Sequence, residues 1–207
     1  VLALGWVVQL KPKPLVVLDV ETTGLDPKHH TLTAIGIGIE QMGRPMVYFV
    51  EQPYKERAAI RWLKRKLDRL GPHRVGSWRN FDVPFVRTRA RIHRLPDPFE
   101  RTSGFLDLQR FAVRKLKRDV HLSDAGRLLG LGEKLFASED LPALYARWLG
   151  GDARAKQKIV EHCRRDIELE MGVYQRLKSI TGVFKKGLSG PFAPMAPILG
   201  LQLRPTI

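Results

Sequence analysis

Cysteine is nearly absent: Cys163 stands alone among 207 residues. One thiol excludes a disulfide framework and a cysteine-based zinc site within the chain. Long apolar runs are missing too; none reaches the roughly 18 residues needed to span a bilayer. Val1–Leu10 is apolar but short, and no basic stretch precedes it, so it does not read as a signal peptide. The chain starts with Val rather than Met, which leaves a fragment or a processed form open. A cytoplasmic location, away from membranes, is the expectation. Acidic residues are in deficit, 21 Asp and Glu against 36 Lys and Arg, for a formal net charge of +15. That balance points to a polyanion partner, most simply nucleic acid. It carries no information on sequence preference, because phosphate contacts position without reading bases.

What is present suits one domain, with a hydrophobic fraction of 43% for a core. Residues 2–10 read as a strand weakened by Gly5, followed by the stiff separator Lys11-Pro12-Lys13-Pro14. Strands are expected over 15–21, 31–40 and 45–50, joined by short turns as in an antiparallel meander. Residues 55–70 carry an apolar helical stripe of Ala59, Ile60, Leu63, Leu67 and Leu70, ended by Gly71-Pro72. Short strands at 75–78 and 105–108 alternate with helices at 82–94 and 109–117. Helices follow at 122–129 (with Ser123 or a residue near Asp119 as cap), 140–149 and 153–178. Strands first, then alternation, then helices is a mixed α/β order. The division expected is one domain over 1–181 and a Gly- and Pro-rich tail over 182–207.

Two acids dominate the first strand. In Leu15-Val16-Val17-Leu18-Asp19-Val20-Glu21 the run before Asp19 is apolar on both faces, as in a buried strand. Residues two apart share a face, so Asp19 and Glu21 project side by side. Buried carboxylates need cations, and a hard divalent metal takes oxygen ligands. Far along the chain, His162 and Asp166 lie one turn apart on one face of the last helix.

Asp19-Val20-Glu21-Thr22-Thr23-Gly24-Leu25 resembles the first motif of the DEDD exonucleases, which have a ribonuclease H-like fold. Phe81-Asp82-Val83-Pro84-Phe85 resembles their second motif, as in the YprB-like group and the exonuclease domains of family B polymerases. The family often has Asn just before this turn, where Ser77 stands here. His162-Cys163-Arg164-Arg165-Asp166 has the spacing of the Tyr-type third motif, with the residue of the His-type branch. Phe105 to Gln109 and Leu128 to Leu131 also look YprB-like, Asp107 being read as structural. The resemblance covers about residues 15–177 and implies a mixed sheet, an antiparallel three-strand meander plus parallel strands, flanked by helices.

It also implies a metal-dependent 3′-to-5′ exonuclease on single-stranded DNA or RNA ends. Asp19, Glu21, Asp82 and Asp166 would ligate two Mg²⁺ or Mn²⁺ ions. His162 would handle the proton of the attacking water, or serve only as the partner of Asp166. Asp82 at a strand-to-helix corner is open to a second reading as a helix cap. Thr22, Thr23, Gly24 and Leu25 would approach the terminal nucleotide through backbone. Trp78 and Phe81 would stack a base or pack in the core. His29 and His30 read as an exposed turn near the substrate. Arg110, Arg114, Lys115, Lys117 and Arg118, and the basic face of 55–70, are candidates for the phosphate track. Two alternatives stay open: a proofreading or accessory subunit docking a polymerase or repair protein through the tail, and a catalytically silent nucleic-acid-binding module.

Overall fold

The computed structural model describes residues 13–135 and 141–186. The strand expected over 2–10 and the tail from 187 onward lie outside the described residues. Five strands form one sheet: β1 Leu15–Thr22, β2 Leu32–Ile39, β3 Met46–Phe49, β4 His73–Ser77 and β5 Thr102–Asp107. The helices are α1 Glu56–Leu70, α2 Asp82–Ile92, α3 Leu108–Leu116, α4 Leu122–Leu128, α5 Leu141–Leu149 and α6 Ala153–Lys186. The strand order is β3-β2-β1-β4-β5. β1, β2 and β3 pair antiparallel, and β4 and β5 add parallel to β1. This is the expected mixed sheet, a meander extended by parallel strands.

Period-two alternation sorts β1 between two cores. Val16, Leu18 and Val20 meet the apolar stripe of α1 (Ala59, Ile60, Leu63, Leu67) and Val83 and Val86 of α2. Leu15 and Val17 face the other way, onto Cys163, Ile167 and Tyr174 of α6. Asp19 and Glu21, in step with Leu15 and Val17, therefore look toward α6.

β2 explains why α6 comes so near. Its sequence alternates Ile35, Ile37 and Ile39 on the α1 side with Gly36 and Gly38 on the α6 side. A Cβ on Gly36 would sit 2.4 Å from Ile167 Cδ1 and 2.6 Å from Cys163 Sγ, and one on Gly38 would sit 2.5 Å from Ile167 Cγ2. The glycines let the helix rest on bare backbone beside the acidic strand.

Boundaries and caps differ from the expected ones at several elements. β5 begins at Thr102, earlier than the apolar residues announce, because pairing with β4 starts at His73↔Thr102. α4 begins at Leu122 with His121 in the cap position and no side-chain cap bond, so Ser123 lies inside the helix. α6 runs to Lys186, past the expected end at Lys178 and past Gly182; a lone glycine costs a helix only about 1 kcal/mol. Gly71 and Gly130 do stop α1 and α4, at φ of 68° and 67°.

Candidate metal and catalytic site

Beyond Val17 the pairing of β1 with β4 ends, and the strands part. The Val20 N–H that β4 no longer engages donates to Asp82 Oδ1 at 3.0 Å. Asp82 is thus bound across to β1 rather than capping its own helix, where Phe81 holds the cap position without a side-chain bond. Ser77 is buried at the end of β4, and its Oγ donates to the Arg79 carbonyl at 2.9 Å, shaping the corner that delivers Asp82.

From the other side α6 presents His162, Asp166 and Glu170, one per turn and all buried. His162 Nε2 lies 3.9 Å from Glu21 Oε1 and 3.6 Å from Asp166 Oδ2. The five residues expected at the site, Asp19, Glu21, Asp82, His162 and Asp166, converge at the end of β1.

Sequence reasoning missed two members. Glu170 is 2% exposed, and its charge is felt by Asp19, Asp82 and Asp166. The Trp78 backbone N–H bonds to its carboxylate. Lys134 enters from the loop after α4 and ion-pairs with Asp166 Oδ2. That loop is fixed by Arg165 of α6, which donates to the Leu131 carbonyl at 2.8 Å and the Glu133 carbonyl at 3.1 Å. The spacing of Glu170, four residues after Asp166, was a usable signal; Lys134 had none.

The electrostatics are unfavourable without an added cation. Burial, then repulsion from Glu21, Asp166, Asp82 and Glu170, holds the Asp19 carboxyl well above the usual range. Burial and then Asp166 push Glu21 up to about 8, against the pull of Lys134. Burial pushes Asp82 to about 7 despite the Val20 hydrogen bond. Asp19 Oδ2, Glu21 Oε1, Asp166 Oδ1 and Glu170 Oε2 are buried with no hydrogen-bond partner. Oxygens in that condition fit a hard divalent cation. Ligand-type atoms of Asp19, Glu21 and Cys163 lie within 4.8 Å of one another. Cys163 is a poor third ligand: its thiol points at the Asp19 carbonyl, 3.8 Å away, and burial pushes its pKa up, away from thiolate.

The segment after Glu21 is a tied loop. Thr22 Oγ1 donates to the Gly24 carbonyl at 2.7 Å, and Thr23 Oγ1 accepts from Thr31 N at 3.0 Å. The His30 ring lies against Gly24, where a Cβ would be 2.5 Å from it. His29 is exposed. Leu25 is left 81% exposed at the tip. Trp78 packs between the α3 and α6 cores, and Phe81 packs on Phe85 with ring centroids 5.3 Å apart. Asp107 caps α3 by accepting from Arg110 N. α3 packs in the α6 layer, so Arg110, Arg114 and Lys115 share the acids' side of the sheet, whereas the basic face of α1 lies on the opposite side.

The model of the RNase_H superfamily matches residues 16–178. The chain belongs to the RNase_H superfamily. It is 29% identical over 171 residues to the uncharacterized protein MJ0365 of Methanocaldococcus jannaschii, covering 78% of this chain and 93% of that protein. Among solved structures it is similar to the family B DNA polymerase of Pyrobaculum calidifontis, with a TM-score of 0.66 and 15% identity over 81% of this chain. It is also similar to Escherichia coli exonuclease I in a zinc-bound complex with single-stranded DNA, with a TM-score of 0.52 and 12% identity over 86% of this chain. The chain spans 25% of the polymerase's length and 43% of the exonuclease's. At these identities the structural likeness is one of fold, a ribonuclease H-like nuclease fold. No helix among the described residues is long and apolar enough to cross a membrane.

Proposed function

We propose that this RNase_H superfamily chain is a metal-dependent exonuclease that removes nucleotides from single-stranded 3′ ends of DNA or RNA. The observation that carries the reading is the set of partnerless, buried carboxylate oxygens at the end of β1. Asp19, Glu21, Asp82 and Asp166 would hold two Mg²⁺ or Mn²⁺ ions, which when bound generate a nucleophile from water and stabilise the leaving oxygen. The direction of attack and the preference for single strands rest on the motif resemblance; the net charge of +15 supports a polyanion substrate.

The chain's own residues supply the remaining work. His162 Nε2, between Glu21 and Asp166, takes the proton of the attacking water. Lys134 ion-pairs with Asp166 and withdraws toward solvent as cations enter, its side chain being 30% exposed. The 22–25 loop meets the terminal nucleotide with backbone and with the exposed Leu25, because its hydroxyls are already engaged. Arg110, Arg114 and Lys115 on α3 hold the phosphates that follow, on the acids' side of the sheet.

The test is digestion of 5′-labelled single-stranded DNA and RNA with Mg²⁺ or Mn²⁺, wild type beside Asp19→Ala and His162→Ala. A ladder shortening from the 3′ end, abolished in Asp19→Ala, is the expected result, and it identifies the preferred sugar. Full activity in His162→Ala removes the proton-transfer role. Binding without metal-dependent cleavage of either substrate overturns the reading in favour of a silent module.

A further inference from the structure

Glu170 stands outside the DEDD motifs, yet it is buried as deeply as the acids within them. It occupies the turn of α6 that follows Asp166, on the stripe begun by His162. One oxygen, Oε2, is buried without a partner. Its strongest charged neighbours are Asp82 and Asp166, with Asp19 also within its reach. A buried carboxylate is ordinarily retained where an arginine, a lysine or several N–H groups satisfy it. Glu170 has the Trp78 N–H and the field of Lys134, whose ion pair is made to Asp166 instead.

Asp82 has the complementary shortage. Its Oδ1 accepts from the Val20 N–H, and its own backbone N–H and the Ser77 side chain also bond to the carboxylate, so part of its lone-pair capacity is taken before a cation arrives. Asp82 is the first of the charged neighbours of Glu170, so the partnerless Oε2 is an oxygen available to a cation that Asp82 helps to hold.

We propose that Glu170 is a fifth carboxylate of the metal centre and supplies, directly or through a water, the ligand oxygen that Asp82 lacks. The inference rests on the two-cation reading above. It makes Glu170 a determinant of how tightly the weaker cation is held.

The experiment is a Mn²⁺ titration of the full chain by calorimetry and by electron paramagnetic resonance of free Mn²⁺, on wild type, Glu170→Gln and Glu170→Asp. Glutamine keeps an oxygen for the Trp78 N–H and removes the charge; aspartate keeps the charge and withdraws it by one methylene. Wild type binds two Mn²⁺. In Glu170→Gln the weaker site loses affinity about tenfold or more, in the range of outer-shell and ligand losses, while the tighter site is unchanged. Glu170→Asp falls between them. The Mn²⁺ concentration for half-maximal cleavage rises in step, and saturating Mn²⁺ restores most of the rate. Two unchanged affinities in either folded variant, with only the melting temperature lowered, overturn the inference and leave Glu170 as an anchor for Trp78. A wild type that binds fewer than two Mn²⁺ overturns the two-cation reading and this inference together.

Discussion

The protein buries carboxylates in two places and treats them in opposite ways. Glu56, at the start of α1, is fully buried and fully satisfied. Arg89 Nε and Nη2 approach its two oxygens at 2.8 and 2.6 Å, His93 Nε2 lies 2.5 Å from Oε2, and the Leu32 N–H donates at 2.8 Å. At the end of β1, Asp19, Glu21, Asp82, Asp166 and Glu170 share the ion pair of Lys134 and leave four oxygens partnerless. The first arrangement needs nothing from outside and holds α1, α2 and β2 together. The second is incomplete as protein alone, which is how a site differs from a structural ion pair.

The largest effect that sharpens this contrast comes from Asp19→Asn. Cleavage falls by about 10²–10³-fold, the scale of removing a charge-stabilising group from a reaction centre. The melting temperature of the chelator-treated protein rises, because one of several repelling charges is gone. A fall in stability there would break the contrast. Arg89→Ala does the reverse. It strands Glu56 and destabilises by about 3–5 kcal/mol in denaturant titrations, equally with and without Mn²⁺. Rescue of Arg89→Ala by metal would show that the two clusters are not independent.

Next in size is Gly36→Val. Its side chain has no room beneath Ile167 and Cys163, so overpacking costs about 1–3 kcal/mol. The loss of cleavage exceeds what unfolding explains, since α6 and its acids are lifted from β1. Circular dichroism melts beside cleavage rates separate the two; a stable variant of full activity would show that the close seat of α6 on β2 is dispensable.

Sequence alone exposed part of this division. The Asp19–Glu21 pair was legible because period two puts alternate residues on one face and the flanking run is apolar on both. Asp82 and Asp166 became legible through the motifs around them. The alternation of Ile and Gly in β2 was visible as composition, but its purpose depends on α6, more than a hundred residues away. Lys134 sits in an aperiodic loop that Arg165 holds in place, so no local pattern marks it. Glu170 carries the right spacing but reads like Glu161 or Glu168, acids on the outer face of a charged helix; burial alone separates them. Glu56 was indistinguishable from an ordinary first-turn acid, because Arg89 and His93 arrive from α2 and its end.

The smallest effect is the dependence of stability on pH, and its sign follows from the raised carboxyls. In the metal-free fold Glu21 titrates at about 8 and Asp82 at about 7, against 4.5 and 3.8 for unperturbed groups. Between those limits the folded state binds more protons than the unfolded chain, so stability falls as pH rises. The contribution of these two groups is greatest below their unfolded pKa values and is spent once the pH passes about 8. Metal binding requires the deprotonated carboxylates and so displaces those protons. The melting temperature of chelator-treated protein should decline from pH 5 to pH 8, and the decline should flatten with Mn²⁺ present. Glu21→Gln removes one of the raised carboxyls, so the difference between the two curves reports its share. The wild-type curve should be steeper than the variant's without metal. Parallel curves would mean that water reaches the carboxylates and screens them, and that the acidic cluster is less strained than its orphaned oxygens imply.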